Sequence, residues 1–302
     1  MGDPDLSRVE VHASVTHASV TMRAVLRVAT LIVCCSGVSL AAAARPLDEV
    51  VASGSLRVIS YLDNAPFSFE ENGKPAGIDV EIARAIAKEL GVTAEIVLRM
   101  QGEKADDDVR ANVWRGPLTG GGTGDIMMNV PMDREFALRN PEAVFGNAYF
   151  QERVVLAVDP GERTDIASFD AFKTRKIGVQ LATVADYFLM TYDDGALIEN
   201  ISHHLKPEQG VQEFLNKDVS ALLGIQSKLE SLLHASKGRA KFLSPDMPGI
   251  VRKTWVIGMA WKENSRDLGY AIDAALVKLS ASGDLARCFE KYGVSYVSPP
   301  LN

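Results

Sequence analysis

Between Ser55 and Arg99 the chain reads strand, helix, strand, and this order restricts the fold more than any other feature. "SLRVIS" (55–60) is a short apolar strand, followed by a turn-rich stretch with Asn64, Pro66 and Glu71-Asn72-Gly73. Ile78, Ile82, Ile86 and Leu90 then recur every four residues, with Glu81, Arg84, Lys88 and Glu89 between them. That spacing lays an apolar stripe along a helix, with an acid near its start and Gly91 at its end. "TAEIVLR" (93–99) is the next strand. A β–α–β opening calls for a sheet with helices packed on it.

The alternation continues. "DIMMNV" (125–130), "VVLAV" (154–158), "KIGVQL" (176–181), "VSALLGI" (219–225) and "WVIGMAW" (255–261) have strand character, and helical patterns fall near 184–190 and 211–216. Ile272, Ala275, Leu276 and Leu279 form a stripe that Gly283 stops, and Leu285 with Phe289 forms a second. Strands alternating with helices predict an α/β protein. Residues 101–119 are polar and hold Asp106-Asp107-Asp108. Adjacent carboxylates point in different directions and lack the alternating spacing of a calcium loop, so a solvated loop or helix start is expected there.

Several chemistries lose support at once. A net charge of -7, with no Lys/Arg-rich run, argues against nucleic acid as a partner. "GGGTGD" (120–125) precedes a strand and lacks the Gly-Lys-Ser/Thr ending of a phosphate loop, so it reads as a flexible turn. No Gly-x-Ser-x-Gly elbow occurs. The adjacent His203 and His204 have no ligand-spaced partner and read as a solvated loop, while Cys288 lies in a helical stripe and reads as a small core residue. No metal, cofactor or catalytic residue is expected.

The N-terminus differs from the rest. The basic stretch Met22 to Arg27 leads into "VATLIVCCSGVSLAAAA" (28–44), an apolar run ending in alanines. That pattern predicts a secretory signal cleaved near Ala44, with translation starting at Met1 or Met22. The apolar run is shorter than the about 20 residues of a membrane span. Of the three cysteines, Cys34 and Cys35 would leave with the signal, so Cys288 would have no internal disulfide partner. The expected compartment is a bacterial periplasm.

Several stretches together resemble one family. "APFSFEENGKPAGIDVEIARAIAKELG" (65–91) is similar to the opening signature of periplasmic solute-binding proteins of the amino-acid type, extracellular family 3. "KIGVQLATVADYFL" (176–189) resembles the start of their second lobe, and "GMAWKENSRDLGYAIDAALVKLSASGDLARCFEKYGV" (258–294) their closing strand and helices. The resemblance implies the two-lobed, type II periplasmic binding protein fold, with a ligand cleft between α/β lobes joined by two hinge strands. Lobe 1 would span 45–152 plus 253–302 and lobe 2 would span 153–252, after a leader of 1–44. It also implies capture of a small solute for an ABC-type permease in the inner membrane.

By that resemblance, "NVPMDRE" (129–135) is the segment that grips a ligand carboxylate, which gives the part to Arg134, with Asn129 beside it. A guanidinium meets a carboxylate with two parallel hydrogen bonds. A surface Arg paired with Asp133 or Glu135 is the alternative. Thr183 falls at a helix start that would favour the same carboxylate, although a plain N-cap would equally place a Thr there. The family's ligand-stacking aromatic is replaced by Asn64 here, and Tyr61 or Phe67 would supply the missing wall, with a core role for Phe67 the alternative. The aspartate that pairs a ligand ammonium aligns with Ile225, and a register slip would bring in only the neutral Gln226. An unpaired buried ammonium costs several kcal/mol, so a small carboxylate or other polar molecule without an α-ammonium is expected, or else a divergent member with another role. Asn64 to Ser68 also resembles periplasmic accessories of quinoprotein alcohol dehydrogenases, which makes such a dehydrogenase an alternative partner. Cyclohexadienyl dehydratases share the fold, but no general acid stands out here.

Overall fold

The computed structural model describes residues 44–161 and 169–300. All but the last residue of the expected signal lie outside those residues. Among the described residues, no helix is long and apolar enough to cross a membrane.

The first half runs α1 (Leu47–Ser53), β1 (Ser55–Tyr61), a hairpin of β2 (Phe69–Glu71) and β3 (Lys74–Ala76), α2 (Ile78–Glu89) and β4 (Thr93–Arg99). α3 (Ala105–Val109), β5 (Ile126–Pro131), α4 (Arg134–Arg139) and β6 (Ala143–Val158) follow. Then come β7 (Ile177–Gln180), α5 (Val184–Thr191), β8 (Ile201–His204), α6 (Pro207–Asn216), β9 (Ala221–Ile225), α7 (Gln226–Ala235) and β10 (Lys241–Leu243). β11 (Thr254–Lys262), α8 (Arg266–Ala281) and α9 (Asp284–Glu290) close the chain.

The strands join in the order β4-β1-β5-β11-β6-β9-β7-β8, with β10 beside β6. β1 lies parallel to β4 and β5, and β7 lies parallel to β8 and β9. β6 belongs to both halves of the sheet. Its residues from Ala143 to Arg153 pair with β11, and Val154 to Val158 pair with β9. Separate cores flank the two halves: Ile78, Ile82 and Ile86 of α2 bury with Phe150 and Phe289 in one, and Phe169, Phe188 and Leu223 in another. Trp255, at the start of β11, packs against both.

Two expectations need correction, whereas the stretch 101–119 does hold a helix start, with Asp106, Asp107 and Asp108 in the first turn of α3 and a π turn (Arg110–Trp114) after it. Asp108 is buried in α3 and accepts from Tyr61 Oη at 3.0 Å and Gly102 N at 2.9 Å. His203 and His204 end strand β8 instead of lying in a solvated loop, and His204 is buried. The strand seen at 154–158 starts at Ala143, where Gly146, Asn147 at a φ of 51° and a register shift opposite Ile257 and Met259 break the alternation. The glycine cluster does make a turn, with Gly120, Gly121 and Gly122 all at positive φ.

Candidate functional site

In an open α/β sheet, ligands bind outside the carboxyl ends of the strands. At that end of the first half, a polar chain links the Asn64 turn to the last residues of β5. Asn64 N donates to Ser68 O at 2.8 Å, and Ser60 Oγ reaches both Ser68 Oγ at 2.9 Å and Asp79 Oδ2 at 3.0 Å. Asn129 Nδ2 donates to the same Asp79 oxygen at 3.4 Å. Asn129 holds a left-handed φ of 60° within β5, a conformation Asn tolerates better than most side chains. Asp79 is fully buried, and burial pushes its carboxyl up to about 6, against the pull of hydrogen bonds from Tyr149, Ser60 and Asn129.

The aromatic candidates lie behind this surface. Phe67 is buried in the core, its ring 5.8 Å from Phe150 and 6.4 Å from Phe289. Tyr61 is buried with its hydroxyl given to Asp108, and burial raises its pKa. Neither ring is exposed as a wall.

Arg134 is the first residue of α4, after the N-cap Asp133, which accepts from Phe136 N at 2.9 Å. The guanidinium is exposed and has no hydrogen-bond or ion-pair partner among the described residues, since Asp133 pairs with Arg252 at 2.7 Å instead. Arg134 lines a groove of about 620 Å³ with Met132, Ala148, Val256, Asp273 and Tyr296.

Thr183 lies elsewhere. It caps α5, accepting from Asp186 N at 3.2 Å and donating to Gln180 O at 2.8 Å. It also lines a smaller, more enclosed apolar pocket of about 100 Å³ at the carboxyl ends of β7 and β9, with Ile225, Lys228, Trp255 and His204. The sequence candidates thus fall into three places: the Asn64–Asn129 surface, the Arg134 groove and the Thr183–Ile225 pocket.

Both ends of the Gln226 amide are already engaged. It is buried, accepts from Arg153 Nε and donates to Glu230 Oε1 at 2.7 Å. Beside it Glu152 accepts from Ser227 Oγ and from Arg153 N at 3.0 Å, and burial lifts its carboxyl to about 7. Glu230 accepts from Ser295 N at 2.7 Å, so α7, the crossing strand β6 and the C-terminal segment meet in one polar cluster. Sequence reasoning missed this cluster and Lys228. The signal for Lys228 was available, because it stands three residues past Ile225 at the start of a helix. Among the described residues no group of three or more His, Cys, Asp or Glu could hold a metal.

Residues 56–113 match the profile of the bacterial extracellular solute-binding proteins, family 3. The L-cystine-binding protein TcyJ of Escherichia coli (strain K12) is 25% identical over 254 residues, covering 82% of this chain and 85% of that protein. An ancestral cationic amino acid solute-binding protein matches with a TM-score of 0.63 at 24% identity, over 82% of this chain and 99% of that one. The L-cystine solute receptor of Neisseria gonorrhoeae, solved unliganded and open, matches with a TM-score of 0.62 at 19% identity, over 85% and 100%. The architecture is that of a two-lobed, type II periplasmic binding protein, with the strand β6 running through both halves. Over residues 56–113 the chain is thus similar to the family 3 solute-binding proteins, and over most of its length to an amino-acid-type member.

Proposed function

We propose that this protein captures a small carboxylate solute in the periplasm and delivers it to an ABC-type permease. The solute would bind between a lobe of residues 45–152 plus 253–302 and a lobe of residues 153–252. One observation carries the reading: β6 changes partners at Arg153–Val154, from β11 to β9, so one strand serves two separately cored halves. Such a crossing can bend while each half stays rigid. Export by a cleaved signal near Ala44 belongs to the same reading.

The carboxylate would be held by Arg134, which has no partner of its own among the described residues, while Asn129, Asn64, Tyr61 and Phe67 in the same half and Thr183 in the other are the further candidates to face the solute. The L-cystine bound by the related protein carries ammonium groups, and Ile225 offers such a group no partner here. A carboxylate without an α-ammonium therefore fits better. The relatives do not favour the dehydrogenase-accessory or dehydratase alternatives, and no observation supports a quinoprotein dehydrogenase as partner.

Small-angle X-ray scattering tests this with amino acids, dicarboxylates and keto acids added in turn. The radius of gyration should contract with at least one carboxylate. A protein unchanged by every solute, or one that co-purifies with a dehydrogenase, would overturn the reading.

A further inference from the structure

Asp125 stands just past the glycine turn, one residue before β5, and is 1% exposed. Its carboxylate takes one residue by both backbone and side chain. Arg45 donates to Oδ1 from its backbone N at 3.2 Å and from Nε at 3.0 Å, and to Oδ2 from Nη2 at 2.6 Å. Arg57 N, in β1, also donates to Oδ2 at 2.8 Å. The rest of the Arg45 guanidinium is held as closely, with Nη1 on Ser53 Oγ at 2.7 Å and Nη2 on Ser55 O at 2.9 Å. Two residues on, Leu47 N donates to Asp267 Oδ2 of α8 at 3.0 Å. Pro46 is the N-cap of α1, and a proline keeps the residue before it extended. Arg45 is therefore a lead-in to the helix, fixed to the protein at its backbone nitrogen.

That nitrogen is also where the leader ends. Ala42 and Ala44 are the small residues, third and first before the bond, that a signal peptidase reads. Cleavage there frees the nitrogen that already lies on Asp125. The pattern before the bond and a buried carboxylate 80 residues further on thus select the same atom. The surroundings suit a cation. The hydrogen bond to Asp125 raises the Arg45 pKa above its ordinary value, against burial, and the charges of Glu95 and Glu49 add to the rise. The guanidinium of Arg57 pairs with Glu95 at 3.4 Å.

We propose that Arg45 is the first residue of the mature protein and that Asp125 receives its α-ammonium. A signal peptidase hydrolyses the Ala44–Arg45 bond with one water: Ala44 leaves as a carboxylate and the Arg45 nitrogen becomes an ammonium. The amide hydrogen bond to Asp125 becomes an ion pair, and charge-assisted hydrogen bonds are roughly twice as strong as neutral ones. Removal of the leader thereby tightens the seam of α1, β1 and β5. The inference rests on the export reading above and adds to it the bond that is cut and the acid that receives the new terminus.

Export of the full chain in a Gram-negative host, with intact mass and N-terminal sequencing of the periplasmic protein, should give a chain beginning Arg45-Pro46-Leu47. A second form carries one asparagine inserted between Ala44 and Arg45. Asparagine does not suit the peptidase's last position, so cleavage after Ala44 moves the α-ammonium one residue away from Asp125. This form should melt about 2–4 °C lower. Its α-amine should react with an active ester at neutral pH about fivefold faster or more, because an ion-paired ammonium leaves less free amine. In Asp125→Asn the insertion should shift neither reading, and the labelling comparison at native Asp125 decides the matter even where that variant does not fold. A mature chain starting at another residue would overturn the inference and leave export standing. Equal melting or equal labelling of the two forms would do the same. Retention of the full-length chain inside the cell would overturn the export reading itself, and this inference with it.

Discussion

Tyr149 donates its hydroxyl to Asp79 Oδ1 at 2.6 Å, tying the crossing strand β6 to the first turn of α2 across 70 residues of sequence. Both residues are fully buried, so the carboxylate depends on this donor, Ser60 and Asn129 for its solvation. Tyr149→Phe keeps the ring and removes the donor, and it should cost about 1–3 kcal/mol of stability. Urea unfolding checks this. A change within about 0.5 kcal/mol, the size of a neutral surface substitution, would contradict it.

Stability should also depend on pH through Glu152. Burial lifts its carboxyl from an ordinary 4.5 to about 7, with repulsion from Glu230 adding to the rise and hydrogen bonds from Ser227 and the Arg153 N–H opposing it. The folded protein therefore holds this proton more firmly than the unfolded chain, and its stabilising contribution is complete below pH 4.5 and lost as pH rises through about 7. The effect is on the order of 3 kcal/mol. Asp79, lifted to about 6, acts with the same sign. Melting temperature should fall between pH 5 and pH 8, and Glu152→Gln should flatten the fall without abolishing it. A curve identical to wild type would remove Glu152 from the explanation.

Gly77 and Gly73 offer a matched pair. Both hold positive φ, 121° and 75°, but a Cβ on Gly73 would meet nothing within 4 Å, whereas one on Gly77 would sit 2.2 Å from Phe67 O. Gly73→Ala should cost about 1–2 kcal/mol, the ordinary left-handed penalty. Gly77→Ala should cost about 4 kcal/mol or more, because backbone must move. Thermal unfolding of the two variants decides the order, and equal losses would contradict it.

The strands and helices that face water on one side were legible in sequence, α2 most clearly, because Ile78, Ile82 and Ile86 leave one unbroken apolar stripe. α7 was not, since its buried face carries Gln226, Ser227 and Glu230, polar groups satisfied by Arg153, Glu152 and Ser295 from distant parts of the chain. His204 misled for the same reason: an imidazole at an inward strand position looks like a loop residue until its neighbours are known. The candidate site was legible only residue by residue. Sequence marked Arg134 and Thr183, but not that one lines an open groove and the other a separate apolar pocket. The two lie on either side of the point where β6 changes partners, and no local pattern encodes that.

The most direct measurement is the affinity of Arg134→Ala for whichever carboxylate the wild-type protein binds, compared by calorimetry. Removing one partner of a ligand ion pair should cost about 2–5 kcal/mol, with the melting temperature unchanged because the exposed Arg134 has no partner among the described residues. Affinity equal to wild type would show that the solute binds without this guanidinium and would contradict the site.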